Sequence, residues 1–396
     1  MEKNIEVTTT STSKKESGFL VLLFRIIVGL VFMFSGAVKA IDPLGSCYKF
    51  TDYFTLAFDM PQLSVTSLPL AFILAALEFS VGFMLFFNMK GRLGAWLSLA
   101  FMVVFTPLTL FIALKNPVHD CGCFGDALLL TNWATFAKNI ILIAMVIYLV
   151  IKRKKIDNPL DDRAELGIAI AVFCIALVFQ HIMIRHLPII DFRPYKIGVN
   201  IAKELDDAAN APQPNTRILL VYANTVTGEV REFDQDEAPY SDTTWVWKDT
   251  KTEIVYDNIF DKLKAWTLEP PEKIHDFTIC DSTGQDYTQQ MLNAEKPVLL
   301  VITYKLENAD IDGLNMLSKI KEYADEKGYI TVGMTASNWD LIYRVRNEFN
   351  LNFPFFVTDE ITLKTMVRAN PGIMKLEKGT IVGKWNFRDF KLNKNL

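Results

Sequence analysis

Five apolar runs constrain this chain more than any other feature: Phe19–Ala40, Ser67–Phe87, Leu93–Leu114, Trp133–Ile151 and Leu166–Ile184, each about 19–22 residues long. At 1.5 Å rise per residue, a helix of that length crosses a hydrocarbon core of about 30 Å. Soluble proteins seldom keep five successive helices apolar for so long, so the first half reads as a bundle of membrane spans. The apolar excess, 51% of 396 residues, sits almost entirely before Pro188. A net charge of −4 with no basic stripe argues against a nucleic-acid partner. The first run also has features of a secretory signal, with Lys14 and Lys15 ahead of it and small residues at Ala37-Val38-Lys39-Ala40. Lys39 falls inside that would-be cleavage site and the run is long for such a signal, which favours a retained helix.

Basic residues at the span ends set an orientation. Lys14 and Lys15 precede the first span, Lys90 and Arg92 fill the turn between the second and third, and Lys152 to Lys155 follow the fourth. The three clusters alternate correctly, so all are expected on the cytoplasmic side. That puts residues 41–66, residues 115–132 and everything after about 185 outside. In a bacterium with two membranes, outside is the periplasm and the spans cross the inner membrane.

The exterior loops carry the chemistry. His119-Asp120-Cys121-Gly122-Cys123-Phe124-Gly125-Asp126 joins the third and fourth spans, and Cys47 follows the first. Three of the five cysteines therefore gather at one face, in a compartment where disulfides persist. A bond between Cys121 and Cys123 closes a small strained ring, which makes it readily reducible. Alternatively one of the pair bonds Cys47, a candidate resolving thiol, and the other attacks. His119, Lys39 and Lys138 are cations placed to favour thiolate, opposed by Asp120 and Asp126. Two blander readings stand beside this one: structural links to Cys47, or a metal site with His119. The spacing matches metal sites poorly. Cys174, in mid-span, reads as a small buried hydrophobe. Arg25 and Glu78 come out at similar depth in their helices and are expected to pair across the bundle, fixing register. Glu78 is also a candidate proton relay or quinone contact. Arg185 near the exterior end of the fifth span reads as a snorkelling side chain, beside His181 and His186.

Arg25-Ile26-Ile27-Val28-Gly29-Leu30 followed by Phe34-Ser35-Gly36-Ala37-Val38-Lys39 resembles the first helix of the DoxX family. Glu78 with Gly82, then Gly91-Arg92, resembles its second helix and turn. Asp120-Cys121-Gly122-Cys123-Phe124-Gly125 is similar to the loop of the related MauE-like membrane proteins, named for methylamine utilisation. The resemblance spans about residues 19–152 and implies a four-helix membrane bundle. It also implies a role in maturing a disulfide-rich periplasmic partner, or a link to quinone. The fifth span and the long tail depart from that pattern.

The tail divides in two. Arg217–Ala223, Glu229–Phe233, Thr243–Lys248 and Thr252–Tyr256 read as four short antiparallel strands, with a turn at Asn224–Gly228. From about Pro270, strands at Pro297–Tyr304, Ile330–Met334 and Phe353–Val357 alternate with helices at Asp310–Lys327, Trp339–Phe349 and Glu360–Arg368. A hairpin of Gly372–Leu376 with Thr380–Trp385 closes the pattern. This order resembles the thioredoxin-like fold, with Asn370-Pro371 standing where that fold keeps a cis-proline. Where active members hold Cys-x-x-Cys, this chain has Tyr304-Lys305-Leu306-Glu307-Asn308-Ala309-Asp310, so the usual thiolate is absent. Cys280 reads as a packing residue. A thioredoxin-like groove holds extended peptide, so the domain is expected to bind a client beside the membrane thiols.

The expected fold is thus an α-helical membrane bundle, a four-helix core plus a fifth span, followed by a small β-rich module and an α/β thioredoxin-like domain. The boundaries are a cytoplasmic tail at 1–18, the membrane core at 19–152, a linker with the fifth helix at 153–187, the β-rich module at 188–268 and the last domain at 269–396. Two functions compete. One is a thiol–disulfide oxidoreductase using Cys121, Cys123 and Cys47, with a membrane quinone near Glu78 and Arg25 as electron acceptor. The other is a non-enzymatic assembly factor whose tail binds a periplasmic client protein or peptide. A small-molecule carrier is a third class, and the spans show no inverted repeat to support it.

Overall fold

The computed structural model describes residues 10–118, 121–156, 159–210, 216–256, 258–268 and 273–392. Five helices are long and apolar enough to cross a membrane: Gly18–Ile41, Pro61–Phe86, Gly91–Lys115, Asn132–Ile151 and Asp162–Arg185. They coincide with the five apolar runs, and the chain is a multi-pass membrane protein. The helices of this region are α1 (Thr10–Ile41), α2 (Pro43–Asp52), α3 (Ser67–Phe86), α4 (Gly91–Lys115), α5 (Asn132–Ile151) and α6 (Asp162–Arg185).

α1 and α3 pack closely because glycines let their backbones meet. A Cβ on Gly36 would lie 2.4 Å from the Phe79 nitrogen, one on Gly82 2.4 Å from the Met33 nitrogen, and one on Gly29 2.8 Å from the Phe86 nitrogen. These three contacts fix an antiparallel register. α2 is a short helix outside the span set. Pro43 occupies its first turn, where a missing N–H costs nothing, and the Asp42 side chain accepts from the Gly45 N–H at 3.0 Å. A turn of π-helix, Tyr53–Ala57, continues it. α6 joins the bundle through Gln180, whose amide donates to the Phe72 carbonyl at 3.1 Å. At the other end Glu165, fully buried, accepts from the N–H groups of Lys90 and Leu160. Cys174 lies on the exposed side of α6 rather than inside the bundle, correcting the buried reading. Mid-span position says nothing about which way a helix turns its faces.

The tail contains one separate compact unit, residues 209–267. The boundary falls there and not at 188, because the segment before it belongs to the C-terminal core. Tyr195 and Ile201 are buried in that core, and the N–H groups of Gly198 and Ile201 donate to the carbonyls of Ile381 and Gly379. These edge contacts have no periodic signature in sequence. α7 (Ile201–Ala209) ends the segment. The separate unit has three strands rather than four, β1 (Thr216–Asn224), β2 (Val230–Asp234) and β3 (Trp245–Ile254), all antiparallel in the order β2-β1-β3. The polar run Asp249–Lys251, read as the turn between two strands, belongs to one long strand with a bulge: the register jumps from Val221↔Asp249 to Tyr222↔Trp247. α8 (Ile259–Thr267) follows.

The last region contains α9 (Thr288–Leu292), β4 (Val298–Ile302), α10 (Ile311–Glu326), β5 (Ile330–Thr335), α11 (Trp339–Glu348), β6 (Phe355–Val357), α12 (Glu360–Met366), β7 (Gly372–Glu377) and β8 (Thr380–Asn386). The sheet order is β6-β5-β4-β7-β8. Its β4, β5 and β6 are parallel, and β7 and β8 are antiparallel. Every residue of β4 is buried, and strand alternation sends Leu299 and Val301 into one core and Val298, Leu300 and Ile302 into another on the opposite face. The Asn370–Pro371 bond is cis. Each expected helix and strand here appears within a few residues of its sequence reading. Cys280 bridges to Asp286 and Val357 at the sheet margin, in keeping with a packing role.

Candidate functional site

Cys121 and Cys123 sit in the loop between α4 and α5, over one end of the bundle. Gly122 has φ +63°, a left-handed conformation that suits glycine, and a Cβ there would press on Lys49 at 3.2 Å. This turn swings both thiols to the same side. The two sulfurs lie 2.7 Å apart, farther than a covalent S–S bond of about 2.05 Å, and both are free thiols. The Cys123 N–H points at the Cys121 sulfur at 3.3 Å, and Thr135 Oγ1 lies 3.6 Å from that sulfur. Tyr53 donates to the Cys121 carbonyl at 2.5 Å, pinning the loop to the turn after α2.

The two thiols are electrostatically unequal. The hydrogen bond from Cys121 lowers the Cys123 thiol to about 6; burial opposes this, and the ammonium groups of Lys138 and Lys39 reinforce it. Donating that bond, together with burial, pushes Cys121 well above the ordinary thiol value. The site thus holds a thiolate and a thiol side by side. Lys138 also stands over the Phe124 ring at 4.4 Å.

Beneath the pair is a buried ionic cluster. Lys39 and Glu78 are 8% and 5% exposed, and Lys39 Nζ lies 2.9 and 2.7 Å from the two carboxylate oxygens. Its third hydrogen reaches Ser35 Oγ at 3.0 Å. The Ser35 hydroxyl stands 2.8 Å from Glu78 Oε2 and 2.7 Å from the Cys123 carbonyl, so its one proton serves either acceptor. A chain of contacts therefore runs from the ion pair to the thiolate loop.

Glu78 pairs with Lys39 and not with Arg25. The α1–α3 register explains the difference: with Gly36 at Phe79 and Gly29 at Phe86, Glu78 lies opposite Ala37, about three helical turns from Arg25. Counting depth from the span ends missed this, because the helices are offset. The Arg25 Nε is buried without a hydrogen-bond partner among the described residues, and Arg25 is remote from the thiols.

A cavity of about 80 Å³, room for several water-sized spheres, opens beside the pair. Val31, Phe32, Leu74, Met102, Phe105 and Leu142 make its apolar walls, and Cys121, Cys123, Lys39, Glu78, Lys138 and Asn139 supply its polar groups. Ser46, Lys49 and Phe50 of α2, with Tyr53 at the start of the π-helical turn that continues it, are spaced i, i+3, i+4, i+7 and line the same cavity. Cys47 is not among the residues that line this cavity. It interacts electrostatically with Lys364 and Tyr304 instead, and burial pushes its thiol up. His119 and Asp120 lie outside the described residues. Among the described residues no group of His, Cys, Asp and Glu is placed to hold a metal.

Sequence reasoning missed the clamp over the loop. Arg368, between α12 and the cis-proline, is 6% exposed. Its Nε lies 2.9 Å from Asp42 Oδ2, and one terminal nitrogen lies 3.2 Å from Asp126 Oδ2. Burial raises the Asp42 carboxyl, but the guanidinium groups of Arg368 and Arg193 outweigh it and hold Asp42 below its usual range; for Asp126 burial wins and the carboxyl sits above it. Lys364 and Arg368 stand over the Tyr48 ring at 4.7 and 5.1 Å, and Lys364 stands over the Tyr304 ring as well, at 5.6 Å. The cysteine-free Tyr304 end of β4 thus rests against α2. Asp42 and Arg368 are 326 residues apart, and no local pattern links them.

Residues 17–152 match the family model described as methylamine utilisation protein MauE. Residues 216–256 match a domain of unknown function, DUF8463. No curated protein and no solved structure matches the chain.

Proposed function

We propose that this chain is a membrane thiol–disulfide oxidoreductase acting in the maturation of an exterior client protein. The observation that carries this reading is the unequal pair, a Cys123 thiolate against a Cys121 thiol, at the rim of an apolar cavity inside the bundle. The name of the matching family, methylamine utilisation protein, is in keeping with an accessory role, and the DoxX-like helix motifs agree with it. In the oxidised form, a client thiolate attacks the Cys121–Cys123 disulfide and a second client thiolate resolves the mixed disulfide. The client gains a disulfide, and the pair takes up two electrons and two protons. Re-forming the Cys121–Cys123 bond releases those two electrons and two protons, and a membrane quinone held among the cavity residues would supply the two-electron acceptor for them. Lys39, Glu78 and Ser35 supply a proton path beside the acceptor.

The basic residues at Lys90, Arg92, Arg153, Lys154 and Lys155 support placing the opposite end, with the thiols and the tail, in the periplasm. We read the last region as thioredoxin-like, from its strand order and the cis Asn370–Pro371 bond. One observation favours a second reading for that region. Its Tyr304 end is engaged by α2, where a thioredoxin would present cysteines or a peptide groove. On this reading the region is a scaffold that holds the cysteine loop in place, and the client binds elsewhere.

The test is to trap Cys121 and Cys123 in living cells with a thiol-alkylating mass tag, with and without quinone synthesis. The pair should be largely oxidised in normal cells and become reduced when quinone is depleted. Sulfurs that stay oxidised regardless of quinone, or full function in Cys121→Ser and Cys123→Ser variants, would leave only the scaffold.

A further inference from the structure

One face of α8 carries four large apolar side chains that are largely exposed. Ile259, Phe260, Leu263 and Trp266 are 75, 78, 56 and 49% exposed. At about 100° per residue, these four side chains fall within an arc of roughly 120°. Lys262 and Lys264 flank the arc on its two edges, and Asp261 and Ala265 lie opposite. The helix is well started, with the Asn258 side chain accepting from the Asp261 N–H at 2.9 Å. An exposed apolar stripe edged by lysines, with a tryptophan near its end, matches a helix lying flat in a membrane–water interface. There the lysine stems run along the apolar surface and carry their charges to the headgroups.

Chain connectivity supplies the second argument. Thr267, the last residue of α8, is bonded to Leu268, and Leu268 forms an antiparallel bridge with Leu130. Leu130 immediately precedes Thr131, the cap of the membrane span α5, whose side chain accepts from the Ala134 N–H. α8 is nine residues long, about 13 Å. Its C-terminal end is therefore tied at the mouth of a span, at the level where Trp133 and Leu128 stand exposed. A soluble partner could cover such a face anywhere; a helix leashed to the bilayer surface meets lipid first.

We propose that α8 is an interfacial anchor that lies on the bilayer with Ile259, Phe260, Leu263 and Trp266 in the acyl–headgroup boundary and Lys262 and Lys264 against anionic lipid. The inference is independent of the thiol chemistry.

The full chain in nanodiscs tests it, using discs of phosphatidylcholine alone and discs containing phosphatidylglycerol. The emission lost in Trp266→Phe isolates Trp266, and lipids brominated near the glycerol end should quench that component several-fold more than the water-soluble quencher acrylamide does. Spin labels on Phe260→Cys and Asp261→Cys, in a chain with its native cysteines replaced by serine, provide a second measurement. The label at 260 should favour oxygen over a water-soluble nickel reagent, and the label at 261 the reverse. Lys262→Glu with Lys264→Glu should reduce the bromolipid quenching of Trp266 in phosphatidylglycerol discs, with a smaller change in phosphatidylcholine. Trp266 quenched no better by bromolipid than by acrylamide would overturn the proposal. So would a label at 260 that is as open to nickel as the one at 261. A label at 260 closed to both reagents would mean a protein covers the face, which also sinks it.

Discussion

The residues that matter most are those whose chemistry depends on a neighbour. Cys123 is a thiolate near neutrality because Cys121 donates to it, and the lysines nearby add to the effect. A lowered thiol value means that reactivity is gained as pH rises through it, so alkylation of Cys123 should half-saturate near pH 6. In Cys121→Ser the weaker hydroxyl donor should move that midpoint upward, which a pH series of iodoacetamide rates would read. Lys39 and Glu78 make a second interdependent pair. Lys39→Met leaves Glu78 buried and alone, and Glu78→Gln strands Lys39; each should cost about 3–5 kcal/mol, while the double change Lys39→Met with Glu78→Leu should recover most of it. Thermal unfolding in one detergent compares the three. The cysteines and both charges were legible in the sequence, since thiols and charges in or beside apolar spans draw attention on their own. Which charge meets which was not, because partner choice depends on helix offset, and offset is set by glycine contacts between residues far apart in the chain.

At the scale of elements, the spans and the alternating strands and helices after Pro297 were readable because burial on one face, or on both, repeats with the period of the element. The bulge in β3 was misread as a turn, since a polar run looks the same in either setting. The packing of α1 on α3 makes a sharp prediction. Gly82→Val sets a branched side chain where even a Cβ meets the Met33 nitrogen at 2.4 Å. The helices must move apart, with a loss of about 1–3 kcal/mol. Because the same contact aligns Glu78 with Lys39, Gly82→Val should also slow Cys123 alkylation at pH 7. A substitution at Gly167, with nothing within 4 Å, should leave both unchanged.

The whole molecule is held together around Arg368, a feature invisible to any local pattern. Arg368→Ala takes from the buried Asp42 and Asp126 the cation that bonds both, and the expected result is a bundle of ordinary stability with a cysteine loop newly open to proteolysis. The pH dependence of the clamp follows from its two carboxylates. Asp42, held low, contributes stability above its unfolded value of about 3.9, and that contribution is lost only as pH falls through its lower folded value. Asp126, held high, gives up its charge first as pH falls. Because burial raises its carboxyl, Asp126 takes up a proton more readily in the closed loop than in an open one, so protease sensitivity of the loop should fall in mildly acidic buffer, and Asp126→Asn should remove that dependence. The Lys39–Glu78 pair has a consequence for how the protein is made. The two residues are separated by 39 positions, so Lys39 leaves the ribosome well before its partner exists. Lys39 stands in the last turn of α1, so while unpaired it can carry its charge out toward the headgroups. The side chain therefore turns inward only when the second span arrives with Glu78. Assembly, not just the finished fold, is ordered by one buried lysine.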